Sequence, residues 1–217
     1  TVVPSSSTAI YDATGNAAST TQSNNTVSLN DQAAPTVSGT TVANNNSTIA
    51  VTFNEAVYNA IGGSGALDVS DFALSISGGV AAVNATPSSI SISGNVYTLG
   101  LTLTGTPSGA ETLTVVPSSS TAIYDATGNA ASTTQSNNTV SLNDQAAPTV
   151  SGTTVASNNT TIAVTFNEAV YNAIGGSGAL DVSDFALSIS GGVAAVNATP
   201  SSISISGNVY TLGLTLT

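Results

Sequence analysis

The sequence predicts an all-β protein built as a tandem array of antiparallel β-sandwiches. Three observations lead there. Apolar residues recur with period two in short runs, and no 11-residue window carries a helical stripe. Glycine-containing pairs that favour turns separate the runs. One stretch also occurs twice: TVVPSSSTAIYDATGNAAS starts at Thr1 and again at Thr114, a period of 114 − 1 = 113 residues, the size of one small domain.

The elements follow in order. Val27 and Leu29 alternate with polar residues ahead of the segment NDQAAPTV, which runs from Asn30 to Val37 and again from Asn143 to Val150. Its proline marks a linker. Ile49, Val51 and Phe53 alternate with Ala50 and Thr52. Phe72, Leu74 and Ile76 alternate with Ala73 and Ser75, and Ile90 and Ile92 sit between serines. Tyr97, Leu99, Leu101 and Leu103 alternate with Thr98, Gly100 and Thr102. Gly15-Asn16, Gly62-Gly63, Gly78-Gly79 and Gly94-Asn95 supply turns. Seven or so short strands per period describe a two-sheet sandwich of immunoglobulin-like type. With no Cys and no Trp in the chain, its core relies on aliphatic packing.

Cutting before the aspartate of each linker gives the expected domains. Residues 1–30 are the C-terminal strands of a preceding repeat, 31–143 one complete repeat, and 144–217 the N-terminal part of a following one. Residues 114–217 repeat 1–104 with two differences, Asn44 becoming Ser157 and Ser47 becoming Thr160. Both fall in an Asn-rich stretch that reads as a solvent-facing loop. Near-identity of this kind points to recent tandem duplication and a longer array.

Composition excludes whole classes of function. The chain has 217 residues, eleven Asp and Glu, and no Lys, Arg, His, Cys, Met or Trp, for a net charge of −11. Without cations there is no phosphate clamp and no counterion release, which argues against a nucleic-acid partner. The missing Cys and His remove disulfides, thiol nucleophiles, the usual zinc ligands and the commonest general base. Apolar runs are too short for a membrane span. A surface of Ser, Thr, Asn and Gly suits an extracellular or cell-surface location, and trypsin has nothing to cut. A paired-carboxylate glycosidase is the one enzyme class left open, and the aromatic platforms it needs are already claimed by strand interiors. We therefore expect no enzyme.

The succession AAPTV, STIAVTFNEAVY, DFALSISGG, SGNVYTLGLTLTG and YDATGNAAS resembles the bacterial Ig-like, cadherin-like tandem repeats of large secreted surface adhesins and fibres. VTFNEAV at 51–57 and YDATGN at 124–129 are its most specific parts. The resemblance implies a stalk of many domains with a binding module at one end, and no catalysis. It also implies calcium between domains in some members. The linker NDQAAP partly resembles the cadherin linker, with one extra residue before Pro35.

The acidic residues point the same way. The complete repeat holds Asp31, Glu55, Asp68, Asp71, Glu111 and Asp125. In an Ig-like strand order all except Glu111 fall at the pole where the domain begins. Uncompensated carboxylates repel, and a hard cation with six to eight oxygen ligands would relieve them. The expected Ca²⁺ ligands are Asp31, Glu55, Asp71 and Asp125, and in the next repeat Asp144, Glu168 and Asp184. The competing expectation is that Asp125 only caps an Asx turn with Gly128 at positive φ, and the two roles are compatible. Glu111 reads as a surface residue near the turn TPSGAE, and Tyr124 as a corner residue whose hydroxyl ties down its loop.

Two functions compete: a structural spacer of a fibre, and a repeat-borne module binding carbohydrate or ice. The spacer needs only stiff junctions and a bland surface. For the binder, the Thr-x-Thr of 102–104 offers too few threonines for an ice-binding plane, and surface glycans are the candidate partner. Sequons occur at Asn24, Asn45, Asn46 and Asn84, and at Asn137, Asn158, Asn159 and Asn197. The expected partners are further copies, head to tail along a filament. The ends read as a window on a continuous fibre. The alternative is donor-strand completion, in which residues 1–30 of one molecule fill 144–217 of the next.

Overall fold

The computed structural model describes residues 1–217, in two compact units, Thr1–Gln145 and Ala146–Thr217. The fold is all-β and every strand pair is antiparallel. Its helical content is two short 3-10 turns, Val69–Asp71 and Val182–Asp184. No helix is long and apolar enough to cross a membrane.

In the first unit, β1 (Val37–Val42), β2 (Thr48–Phe53), β5 (Ile90–Ser93) and β6 (Val96–Gly100) form one sheet in the order β1-β2-β6-β5. A second sheet runs β3-β8-β9, from Phe72–Ser77, Thr112–Pro117 and Thr139–Ser141. A two-stranded ladder joins β4 (Ala82–Val83) to β7 (Leu103–Thr104). The alternation is as read from the sequence: β2 buries Ile49, Val51 and Phe53 and leaves the intervening residues half-exposed. These meet Phe72, Leu74, Leu113 and Val115 of the other sheet in one core. Tyr97 sits at its centre, edge-on to Phe53 at 5.7 Å and tilted against Phe72 at 6.0 Å.

Three strands are illegible in the sequence pattern, and one of them, β4, is only two residues long. β1 is an edge strand with a bulge between Val37 and Gly39, and its burial does not alternate. β8 alternates Leu113, Val115 and Pro117, but Val116 on its outer face blurs the pattern. The run from Tyr97 to Leu103 is also broken. Leu101 turns out of β6, its N–H donating to Ser47 O, and Leu103 enters the small ladder with β4.

The second unit repeats the first sheet. β10 (Val150–Val155), β11 (Thr161–Phe166), β12 (Ile203–Ser206) and β13 (Val209–Gly213) stand in the order β10-β11-β13-β12. The register is kept, Val150 opposite Phe166 as Val37 is opposite Phe53. The second sheet is missing. Residues 185–190, the counterpart of β3, carry no strand. The identical sequence at 72–77 becomes a strand because β8 is there to pair with it. Strand formation at this position is decided by the partner, not by local propensity.

Residues 1–30 contain no named strand and one isolated bridge, Tyr11 with Ala17. Their hydrogen bonds join the segment to itself, as Val2 N–H donates to Asn25 O at 2.8 Å.

Candidate metal centre

Three of the expected ligands converge. Carboxylate oxygens of Asp31, Glu55 and Asp125 all lie within 4.8 Å of one another. Glu55 is positioned by the end of β2. Asp125 is positioned by Tyr124, whose main chain pairs with Tyr58 through two N–H to O bonds of 2.8 Å. Asp31 is brought in from the linker by Asn129, whose amide Nδ2 donates to Asp31 O at 3.2 Å and Ala33 O at 3.3 Å.

The three carboxylates are in different electrostatic states. Asp125 is buried. Burial pushes its carboxyl up, but Asn129, Thr127 and Gly128 donate to it and together hold it below the usual range. Its Oδ1 accepts the N–H groups of Thr127 (2.9 Å), Gly128 (2.6 Å) and Asn129 (2.8 Å), and its Oδ2 accepts Asn129 Nδ2 at 2.7 Å. Glu55 goes the other way. Partial burial raises it first, then the charges of Asp125 and Asp31, with one weak donor, Asn54 Nδ2 at 3.4 Å, opposing. Asp31 uses Oδ1 to accept Ala33 N–H at 2.8 Å and is otherwise exposed.

The donor set is oxygen only, anionic, and open on the Asp31 side. That set fits a hard cation and no soft one. Glu55 and Asp31 keep free lone pairs for it. Asp125 serves mainly as the anchor of its own loop, the Asx role expected as the competing reading. The tail copy makes the same point. Asp12, exposed and far from any Glu55 counterpart in sequence, accepts Thr14 N–H, Asn16 N–H and Asn16 Nδ2 at 2.8–2.9 Å. The loop therefore folds on its own.

The other expected ligands lie elsewhere. Asp71 is buried and forms a capping box with Asp68: Asp68 N–H donates to Asp71 Oδ2 at 2.8 Å, and Ser70 N–H to Asp68 Oδ1 at 2.7 Å. Asp184, which is exposed, forms the same capping box with Asp181. Asp144 belongs to the first unit and Glu168 to the second.

Two expectations are corrected. Glu111 is not a surface residue but fully buried. Its Oε1 accepts Val80 N–H at 2.8 Å and Ala81 N–H at 3.1 Å, and its Oε2 accepts Ser108 N–H at 2.8 Å. Burial pushes the carboxyl up, but these main-chain donors outweigh it and bring it down to about 2. The donors converge because Gly79, at φ 58°, turns the chain tightly against the carboxylate, and any Cβ there would collide with Glu111 Oε1. Nothing in TPSGAE signals a partner some thirty residues upstream. Second, the Tyr124 hydroxyl does not tie down a loop. That bond is made by Tyr97, whose hydroxyl donates to Val57 O at 3.2 Å.

The Asn-rich stretch is only partly a solvent loop. Asn44 and Ser47, where the copies differ, are exposed, but Asn46 between them is buried. Its sequon is therefore closed in the folded unit.

No family model and no curated protein matches the chain. Among solved structures, the N-terminal part of the bacterial S-layer protein SbsC is similar over 60% of this chain and 30% of that one, at a TM-score of 0.37 and 20% identity. This chain thus spans about a third of that structure.

Proposed function

We propose that the chain is a run of structural spacer repeats from a long extracellular fibre, appendage or adhesin stalk, joined head to tail and stiffened by Ca²⁺ where one repeat meets the next. One observation carries the reading: the linkers dock at opposite poles of the complete repeat. The incoming linker is held at Asp31 and Ala33 by Asn129, beside Glu55 at the end of β2. The outgoing one is held at Asn143 by Asn46, in the turn before β2, and at Gln145, whose N–H donates to Pro107 O at 2.8 Å. β2 separates them by six residues, roughly 20 Å of strand. A domain that takes the chain in at one pole and releases it at the other extends an array with every copy.

Calcium belongs to the incoming pole. Asp31 lies in the linker, Glu55 and Asp125 in the domain body. A cation shared among them would fasten linker to body, where three carboxylates otherwise repel. The rival reading, a repeat-borne carbohydrate or ice site, would have to use the depression of ≈ 290 Å³ in the complete unit, which is lined by Tyr58 and Tyr97 among small and aliphatic residues and by no carboxylate or amide side chain that would grip a sugar hydroxyl.

The test is small-angle scattering from chains of two, four and six repeats in Ca²⁺. The maximum dimension should grow by a constant increment of roughly 35–45 Å per repeat. A dimension growing as the cube root of length would reject the spacer.

A further inference from the structure

The sheet β1-β2-β6-β5 has two edges, and they are not alike. At β1 a bulge interrupts the register, Thr40 Oγ1 donates to Thr139 O of the facing sheet at 3.0 Å, and the Val37 N–H is taken by Gln135 Oε1 at 2.9 Å. That edge is guarded against a further strand. β5 carries none of these devices. Its register with β6 runs without a shift from Ile90 opposite Leu99 to Ser93 opposite Val96, and it holds no proline and no charge.

The hairpin decides which groups of β5 point outward. Its two-residue loop, Gly94-Asn95, makes Ser93 and Val96 a pair that exchanges hydrogen bonds, and such pairs recur at every second residue. Gly100 N–H, donating to Ser89 O at 2.9 Å, keeps that phase. Ser89, Ser91 and Ser93 therefore turn their main-chain groups to β6, and those of Ile90 and Ile92 face away from the sheet. No other segment bonds to them. The Ile92 side chain is 46% exposed at the rim of the depression beside Tyr97. Its counterpart Ile205 is 47% exposed in the same register, so the open edge belongs to the repeat and occurs in both copies.

We propose that β5 is a lateral docking edge for β5 of a second copy, the two strands pairing antiparallel about a two-fold axis at Ser91. Charge and symmetry select this occupant. No strand of the sheet carries a carboxylate, and residues 72–110 contain none. A cationic partner finds no counter-charge there, and an anionic one finds no cation. A neutral strand fits, and the chain presents one in each repeat. For copies of net charge −11 without Lys or Arg, a carboxylate-free edge is also where approach costs least. With Ser91 on the axis, Ile90 of each copy lies opposite Ile92 of the other, and their outward groups satisfy one another. The exposed Ile92 is then covered by Ile90 of the other copy. One such contact is small. Along an array it recurs with the repeat and gains by multivalency, a consequence that rests on the spacer reading, whereas the pairing itself does not.

The chain has no cysteine, so an introduced one reports a single contact. A non-hydrogen-bonded antiparallel pair sets its Cα atoms about 4.5 Å apart, within reach of a disulfide. The S91C and S204C variants of the 217-residue chain, oxidised alone and mixed, should therefore give disulfide dimers. Their yield should exceed about tenfold that of S75C, an equally exposed serine on the other sheet. Adding I92K and I205K puts an ammonium beneath the incoming strand and should cut the yield about tenfold, while Ile92→Val leaves it unchanged. Raising the salt should raise the yield, because these copies only repel at long range. Yields no better than that of S75C, or indifferent to I92K and I205K, would overturn the docking. Dimers from a chain whose scattering dimension grows as the cube root of length would uphold the docking and reject the linear spacer.

Discussion

Asn46 and Asn143, 97 residues apart, clasp each other across the pole of the complete repeat. Asn46 Oδ1 accepts the Asn143 N–H at 2.9 Å, and Asn46 Nδ2 donates to the Asn143 carbonyl at 2.7 Å. The asparagine is buried and sits at φ 55° in the turn that opens β2. It thus closes a tight turn and anchors the outgoing linker with one side chain.

Asn46→Ala should therefore be costly for a single polar truncation. It leaves the Asn143 main-chain groups without their partner and places alanine at positive φ. The expected loss is about 2–4 kcal/mol in urea unfolding of the complete repeat. Asn46→Gly should recover only the backbone part, about 1 kcal/mol. An Asn46→Gly variant as stable as the parent would show that the clasp contributes nothing.

Glu111 makes acid sensitivity predictable in sign. Its carboxyl ionises at about 2 in the folded chain against an ordinary 4.5. A depressed carboxyl contributes stability that is present above pH 4.5 and is lost as pH falls through about 2. Glu111→Gln should lose stability at neutral pH, since an amide nitrogen would face a main-chain N–H, and should flatten the acid limb. Denaturant midpoints measured from pH 7 down to 2 check this. An acid limb unchanged in the variant would put the acid response elsewhere.

Gly79 is bound to Glu111 by space. Gly79→Ala adds a methyl where the carboxylate lies and a Cβ where φ is 58°. Its effect should be as large as that of Glu111→Gln, and the two should not add, because one loop is lost in both. A double-mutant cycle by thermal unfolding reads the coupling.

Glu55 should behave oppositely to Glu111 when no cation is bound. Its carboxyl is raised by burial and by Asp125 and Asp31, so ionisation of this group works against the fold at neutral pH. The strain is relieved as pH falls toward the carboxylate range. Without Ca²⁺, Glu55→Gln should then match or exceed the parent in melting temperature. With Ca²⁺ it should fall below it. A variant that is weaker in both conditions would mean that Glu55 serves only the fold.

The sequence reads well where one residue decides its own environment. Ile49, Val51 and Phe53 show their buried face by alternation, and Gly94-Asn95 shows the turn between β5 and β6. The loop at Asp125 is legible because it folds alone, as the exposed copy at Asp12 proves. The sequence fails where a distant segment decides. The stretch 72–77 is a strand beside β8, and its copy at 185–190 is not. Glu111 looks like surface until Gly78-Gly79 folds over it, and Asn46 looks like a loop residue until Asn143 arrives. Of the carboxylates placed at one pole, the linker and loop residues Asp31, Glu55 and Asp125 meet. Asp71 is instead held by the N–H of Asp68, three residues away, a local bond that alternation cannot reveal.

The proposed spacer function depends on a cation-fastened joint at the pole where the linker arrives. Calorimetric titration of the 217-residue chain with Ca²⁺, beside the Glu55→Gln variant, tests that most directly. The prediction is one saturable site per complete repeat, absent in the variant. At a concentration 100 times Kd the site should add about 2.7 kcal/mol of stability to the parent, read as a rise in Tm that EDTA reverses. No heat of binding and a Tm indifferent to Ca²⁺ and EDTA would contradict it.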